Sequence, residues 1–290
     1  MESRSLNINR NLDQEMLDFF SKVEIPYENS KEDVWNQLST KLNENPKAPK
    51  EFWLGPKLIT AIAAGLLILF SVVSITRFYT KTITVPSGKH VTALLPDGSS
   101  VELNAESKLV YHPYWWRFER KVGFEGEGFF KVERGKKFEV NSEQGKTIVL
   151  GTSFNIYNRE QNYKVTCVTG KVKVISTTNK EVILSPDYKA EVDANGDIKV
   201  YKEKESKQSI SWVNNMFNFT SVPLGSVLEE IERQYDITIY NSIEKDYFYT
   251  GFFSRDKNAE EVLNLLAKTF GFTFVKRSDK VYEIIQSDVE

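Results

Sequence analysis

Few residues in this chain have the types and spacing that chemistry needs. There is one cysteine, Cys167, and there are two histidines, His90 and His112. A lone cysteine excludes an internal disulfide, so a part facing an oxidising space folds on its core alone. Cys167 lies in the alternating run KVTCVTGKVKV, where a packing role is expected. His112 precedes Pro113 and should end a strand, and two histidines are too few for a histidine-based metal site. Carboxylates are plentiful but scattered over expected strands and turns. The sequence has no P-loop, no G-x-S-x-G and no Cys-x-x-Cys. No metal, no cofactor and no enzyme of a standard class is therefore expected. The aromatic cluster Tyr111, Tyr114, Trp115, Trp116 and Phe118 could stack against a sugar. Packing in a core or an interface is the competing use, and the residues alone leave both open.

The elements that must position these groups are set by one uncharged apolar run, Leu58 to Thr76. As a helix it spans roughly 28 Å, close to the hydrocarbon thickness of a bilayer. It starts too far into the chain for a signal peptide and is followed by Arg77-Phe78-Tyr79 rather than small residues. A single transmembrane helix over 58–76 is expected. Lys41, Lys47, Lys50 and Lys57 precede it, and Arg77, Lys81 and Lys89 follow. This slight excess places the N-terminus in the cytoplasm and the C-terminus outside. Phe52 and Trp53 before the run, and Phe78 and Tyr79 after it, fit interfacial belts.

Residues 1–57 carry two short helical patterns. Leu12, Met16, Phe19 and Phe20 share one spacing, and Val34, Trp35, Leu38 and Leu42 fall on one face of the second. Ser30 and Asp33 form an N-cap pair; Pro26 separates the helices, and Pro46 and Pro49 end the second. Eight acids against four bases in residues 1–40 make the segment acidic. It is too small to bury its own core, so it is either a tail with residual helix or a docking segment that folds onto a basic partner. The net charge of −2 excludes a global basic surface for nucleic acid.

From Ile83 to about Tyr201 the period changes to two, with turn signals at Pro96-Asp97-Gly98, Gly123, Thr169-Gly170 and a two-residue hairpin turn expected at Asn195-Gly196. This reads as an all-β sandwich or related stacked β structure over 82–205. From 209 to 286 strand and helix alternate twice. Leu224, Val227, Leu228, Ile231 and Tyr235 have helical spacing, and Ala259, Val262, Leu263, Leu266 and Phe270 repeat it. Each helix has a strand on both sides, so a small α+β domain of two βαβ-like units is expected, with an open sheet edge free to dock another strand.

The stretches LLPDGSSVELNAESKLVYHP (94–113), RKVGFEGEGFFKVERGKKFEVNS (120–142), IVLGTSFNIYN (148–158) and VTCVTGKVKV (165–174) carry a resemblance. Their order resembles the FecR family of single-pass inner-membrane anti-sigma factors, in the form typical of Bacteroidetes. The repeat at 217–285 is similar to the family's C-terminal domain, related to the secretin and TonB short N-terminal (STN) domain. Two departures occur at turns: Pro186-Asp187 stands where the family usually has Pro-Gly, and Asn215 where it often has Gly.

The resemblance implies a relay. An outer-membrane TonB-dependent transporter would present a periplasmic signalling domain to the C-terminal part of this chain. The cytoplasmic segment, with Val34, Trp35, Leu38 and Leu42 as its contact face, would hold an extracytoplasmic-function sigma factor. In some members the chain cleaves itself at a Gly-Thr bond, matched here by Gly151-Thr152 within LGTSF. The Thr152 hydroxyl would attack the Gly151 carbonyl, and water would open the resulting ester. The opposing expectation is a bulge at Gly151 and an ordinary strand residue at Thr152. The alternative function is a membrane-tethered periplasmic binding or scaffold module that takes glycan at Trp115 and Trp116.

Overall fold

The computed structural model describes residues 10–24, 29–43, 55–203, 208–241, 243 and 246–286. Pro26, Pro46, Pro49, Phe52, Trp53 and the expected domain end at 205 lie outside the described residues. Two helices come first, α1 (Arg10–Lys22) and α2 (Lys31–Asn43). A reciprocal cap starts α2: Asp33 N donates to Ser30 Oγ at 3.2 Å, and Ser30 N to Asp33 Oδ2 at 3.3 Å. Helix α3 (Pro56–Phe78) contains the apolar run and extends two residues beyond it at each end. No residue of α3 is buried, as expected of a helix whose solvent is lipid.

The β structure begins two residues after α3. The strands are β1 (Lys81–Val85), β2 (Val91–Leu94), β3 (Ser100–Leu103), β4 (Ser107–Tyr111), β5 (Arg120–Lys131), β6 (Phe138–Asn141) and β7 (Gly145–Val149). They continue with β8 (Ser153–Arg159), β9 (Asn162–Thr169), β10 (Val172–Ser176), β11 (Glu181–Leu184), β12 (Tyr188–Val192) and β13 (Ile198–Lys202). One sheet runs β1-β4-β5-β6-β7-β10-β11 and the other β2-β3-β5-β8-β9-β12-β13. They share β5. Its first half pairs with β4 and with β6, the latter in parallel; its second half pairs with β3 and β8. The strand turns between sheets at Gly126, where φ is 101° and a Cβ would lie 2.6 Å from Ser107 Cα. Between the sheets, Phe130 stacks on Phe154 with ring centroids 5.1 Å apart, and both are fully buried.

The hairpin between β12 and β13 departs from expectation. Its loop has three residues, Ala194-Asn195-Gly196, closed by Asp193 N donating to Asp197 O at 3.1 Å. Asp193 Oδ1 accepts from both Asn195 N and Asp197 N at 3.0 Å, which holds the longer turn. Asp187 and Asn215 both have left-handed φ, 65° and 60°. Their short polar side chains tolerate the geometry that glycine would otherwise supply.

A 3-10 helix (Gln208–Asn214) leads into β14 (Met216–Pro223), α4 (Leu224–Tyr235), β15 (Thr238–Tyr240), β16 (Phe248–Ser254), α5 (Ala259–Phe270), β17 (Phe272–Ser278) and β18 (Val281–Gln286). Strand β14 pairs with β16, and β15-β18-β17 form a second small sheet. Both helices bury the apolar positions at helical spacing, including Val227, Ile231, Val262 and Leu266. Asn258 caps α5 by accepting from Glu261 N at 2.9 Å.

Candidate functional site

Strand β7 belongs to one sheet and β8 to the other, and Leu150-Gly151-Thr152 is the whole connection between them. Residues 132–135 brace it. Val132 N donates to Thr152 O at 3.0 Å and Gly135 N to Leu150 O at 2.9 Å. Gly151, held between these bonds, has φ 150°, and a Cβ there would lie 2.8 Å from Arg134 Cα. Only glycine meets both conditions. Thr152 is buried just before β8, and its Oγ1 donates to Lys171 O at 3.1 Å. Ser153 N donates to Thr169 Oγ1 at 3.0 Å, so the Gly151-Thr152-Ser153 and Thr169-Gly170-Lys171 stretches lie against each other. The acceptor of the Thr152 proton is a backbone carbonyl, which fixes the hydroxyl's direction but is too weak a base to take the proton.

The Pro96-Asp97-Gly98 turn is tied to the same brace through Arg120. Arg120 Nε donates to Asp97 Oδ2 at 2.6 Å, and its terminal nitrogens donate to Lys136 O at 2.7 Å and Glu133 O at 2.9 Å. Asp97 in turn accepts from Ser99 N at 3.1 Å. All four of the stretches that carry the resemblance thus meet at one crossover.

Within the 120–142 stretch, Gly126 to Phe130 opens on a polar seam between the β domain and the α+β domain. Glu127 accepts from Asn104 Nδ2 at 2.8 Å and from Asn155 Nδ2 at 3.0 Å. Asn104 Oδ1 accepts from Gln234 Nε2 on α4 at 2.6 Å, and Gln234 Oε1 meets His90 Nε2 at 2.9 Å. Trp212 Nε1 donates to Asn155 Oδ1 at 3.4 Å. Gly88 N donates to Arg233 O at 2.9 Å, and the Arg255 guanidinium donates to Gly88 O. Burial, then the Glu230 carboxylate, pushes Glu127 up to about 7, against the pull of Arg159 and its two amide partners. Burial also lowers His90, partly offset by its bond to Gln234. A cleft of about 610 Å³ beside the seam is lined in part by Glu127, Tyr157, Trp212 and Glu230.

Val34, Trp35, Leu38 and Leu42 all lie on α2 and are exposed, Trp35 by 70% and Leu42 by 74%. They lie on a separate compact unit from the β domain. The aromatic pair does not form a sugar platform: Trp116 is buried in edge contact with Tyr111 and Phe138, and only Trp115 of the two reaches the surface. Cys167 is fully buried and its thiol is pushed up to about 11, chiefly by burial.

These features define a two-domain module, a β sandwich with a braced crossover and an α+β domain docked through polar groups, carried on a single long apolar helix. The chain belongs to the FecR family. The family model described as FecR protein matches residues 81–173, and that described as FecR, C-terminal matches residues 216–284; together they take in more than half of the chain. Two crystal structures of a Parabacteroides distasonis ATCC 8503 protein, provisionally assigned as an anti-sigma factor, are similar. Their identities are 28% and 29%, each with a TM-score of 0.66, covering 72% of this chain and 100% of that one. No curated protein matches the chain.

Proposed function

We propose that this chain is a single-pass inner-membrane anti-sigma factor, with residues 1–57 in the cytoplasm and the two folded domains in the periplasm. The observation that carries the reading is the exposed apolar face of α2, which has no buried residue, joined through a helix long enough to cross a membrane to FecR-family domains. The partner of that face is an extracytoplasmic-function sigma factor. Trp35→Ala should weaken that complex by about 2 kcal/mol as a central aromatic anchor. Binding of residues 1–57 to the sigma factor is measured by titration, and unchanged affinity in a Trp35→Ala, Leu38→Ala double variant would sink the docking model.

The α+β domain is the proposed receiver for the signalling domain of an outer-membrane TonB-dependent transporter, through an exposed strand edge or its adjoining helix. The support is its small open sheet, with β15 and β17 at the two edges. Deleting residues 212–290 should abolish the response to inducer and leave the protein inserted; a normal response would put the receiver elsewhere.

A second reading, self-cleavage at Gly151–Thr152, is favoured by the glycine-only φ at Gly151 and the fixed Thr152 hydroxyl. The Oγ–C bond forms as the peptide C–N bond breaks, the hydroxyl proton passes to the departing amine, and water hydrolyses the ester to a Gly151 carboxyl group and a free Thr152 hydroxyl. With no general base against Thr152 Oγ1, this step is slow and strain-driven. Membrane extracts should then show two fragments, a single band for Thr152→Ala and two again for Thr152→Ser. Intact wild-type protein with normal signalling would remove this reading.

A further inference from the structure

The aromatic group at the membrane end of the β domain packs on one side against residues 77–79 and stays open to the surface on the other. Helix α3 ends at Phe78 and β1 starts at Lys81, so Tyr79 and Thr80 are the whole linker. Three residue steps reach at most about 11 Å. Lys81 pairs with Tyr111, the last residue of β4. Residues 112–119 therefore leave the sheet opposite the point where the chain leaves the helix. Contacts seal this end: Arg77 stacks on Trp115 at 5.2 Å, Tyr79 lies 5.3 Å from Tyr114, and His112 Nδ1 meets Tyr79 O at 3.2 Å.

Tyr114 and Phe118 are nevertheless 63% and 67% exposed, and Trp115 leans on Phe118 at 4.5 Å. A groove beside Phe118 is walled by Arg117, Lys121, Lys136 and Lys137, which outnumber Glu119 and the Glu139 that pairs with Lys121 and Lys137. Rings at the end of a span with basic side chains behind them suit the interfacial layer of a bilayer, where ring faces meet the acyl boundary and cations meet phosphodiesters. We propose that Tyr114, Trp115 and Phe118 insert into the headgroup layer of an anionic bilayer, so that the β domain lies on the membrane rather than standing off it. The occupant follows from continuity with α3, and the inference rests on α3 being a span.

The full chain is reconstituted at high dilution in vesicles of phosphatidylethanolamine and phosphatidylglycerol, carrying an environment-sensitive fluorophore at Phe118→Cys, Phe70→Cys or Ile183→Cys. The buried, un-ionised Cys167 reacts poorly beside an exposed introduced thiol. Phe70 is mid-helix; Ile183 is exposed on β11, at the edge of the sheet opposite β1. Aqueous acrylamide should quench the label at 118 about threefold less than that at 183, with 70 shielded further. Equal quenching at 118 and 183, with 70 shielded, overturns the inference and keeps the span. Quenching at 70 as strong as at 183 overturns the span and the inference with it. Shielding at 118 that vanishes on further dilution into lipid assigns the face to a second copy instead and also overturns the inference.

Discussion

The interior of the β domain and its seam with the α+β domain are held by opposite means. The interior is centred on one apolar cluster, with Leu103, Phe130, Phe138, Phe154 and Ile156 fully buried. The seam is built from Glu127, Asn104, Asn155, His90 and Gln234, each satisfied by another of the group. Apolar burial has no direction and falls off only when the fold opens. A hydrogen-bonded seam depends on geometry and charge state, and its groups regain partners in water when it parts. The core therefore fixes the fold, while the seam can separate at far lower cost.

The largest effect expected on this contrast is Phe130→Ala. Removing a buried ring from the stack on Phe154 should cost about 3–5 kcal/mol and unfold the β domain first, as followed by circular dichroism on heating. A smaller loss would mean that the two sheets relax together. Gln234→Ala should act next, at about 1–3 kcal/mol, by stripping partners from Asn104 and His90. Amide exchange should quicken in α4 and at Gly88 and stay slow in β8 and β9. Equal acceleration in both would erase the distinction between core and seam.

The smallest effect is a pH dependence. Glu127 is raised to about 7 in the fold from an ordinary 4.5, so the folded seam binds more protons than the unfolded chain across that interval. Its contribution to stability is present below about 4.5 and is lost as pH rises through about 7. His90, lowered by burial, has the opposite sign and weakens the seam as pH falls. Comparison with Glu127→Gln subtracts the histidine. The melting temperature of the variant relative to wild type should rise between pH 5 and pH 8, and a flat difference would remove Glu127 as the titrating group.

Much of the frame was legible in residue order because it rests on local period. The apolar run gives α3, the helical spacing at Val227 and Val262 gives α4 and α5, and the Asn258–Glu261 cap is local by nature. Asp187 and Asn215 could be read as turn residues because their side chains permit left-handed backbone. The switch of β5 between sheets was not legible, since alternation does not say which sheet a strand joins. Gly126 and Gly128 on either side of Glu127 were the available signal, because glycine inside a strand marks a bend or close approach. The seam had no local signal at all: Gln234 and Asn104 are 130 residues apart, and Trp212 and Asn155 are 57 apart. Only tertiary packing brings them together. Whether Trp116 packs or faces a sugar stayed open in the sequence, because neighbouring residues can point to opposite sides of a chain, and the fold buries it.

The two-residue linker at Tyr79-Thr80 leaves almost no slack between the long apolar helix and the sheet. From the end of α3 a mechanical series runs through β1, across five residue pairs to β4 and across four more to β5, the strand that carries Glu127. Hydrogen bonds in such ladders lie across the strands, so tension directed along β5 loads them in shear, together rather than one by one. The C-terminal domain and the long apolar helix are thus joined by a short, stiff cable, and the first thing to yield under a pull on the C-terminal domain is the polar seam.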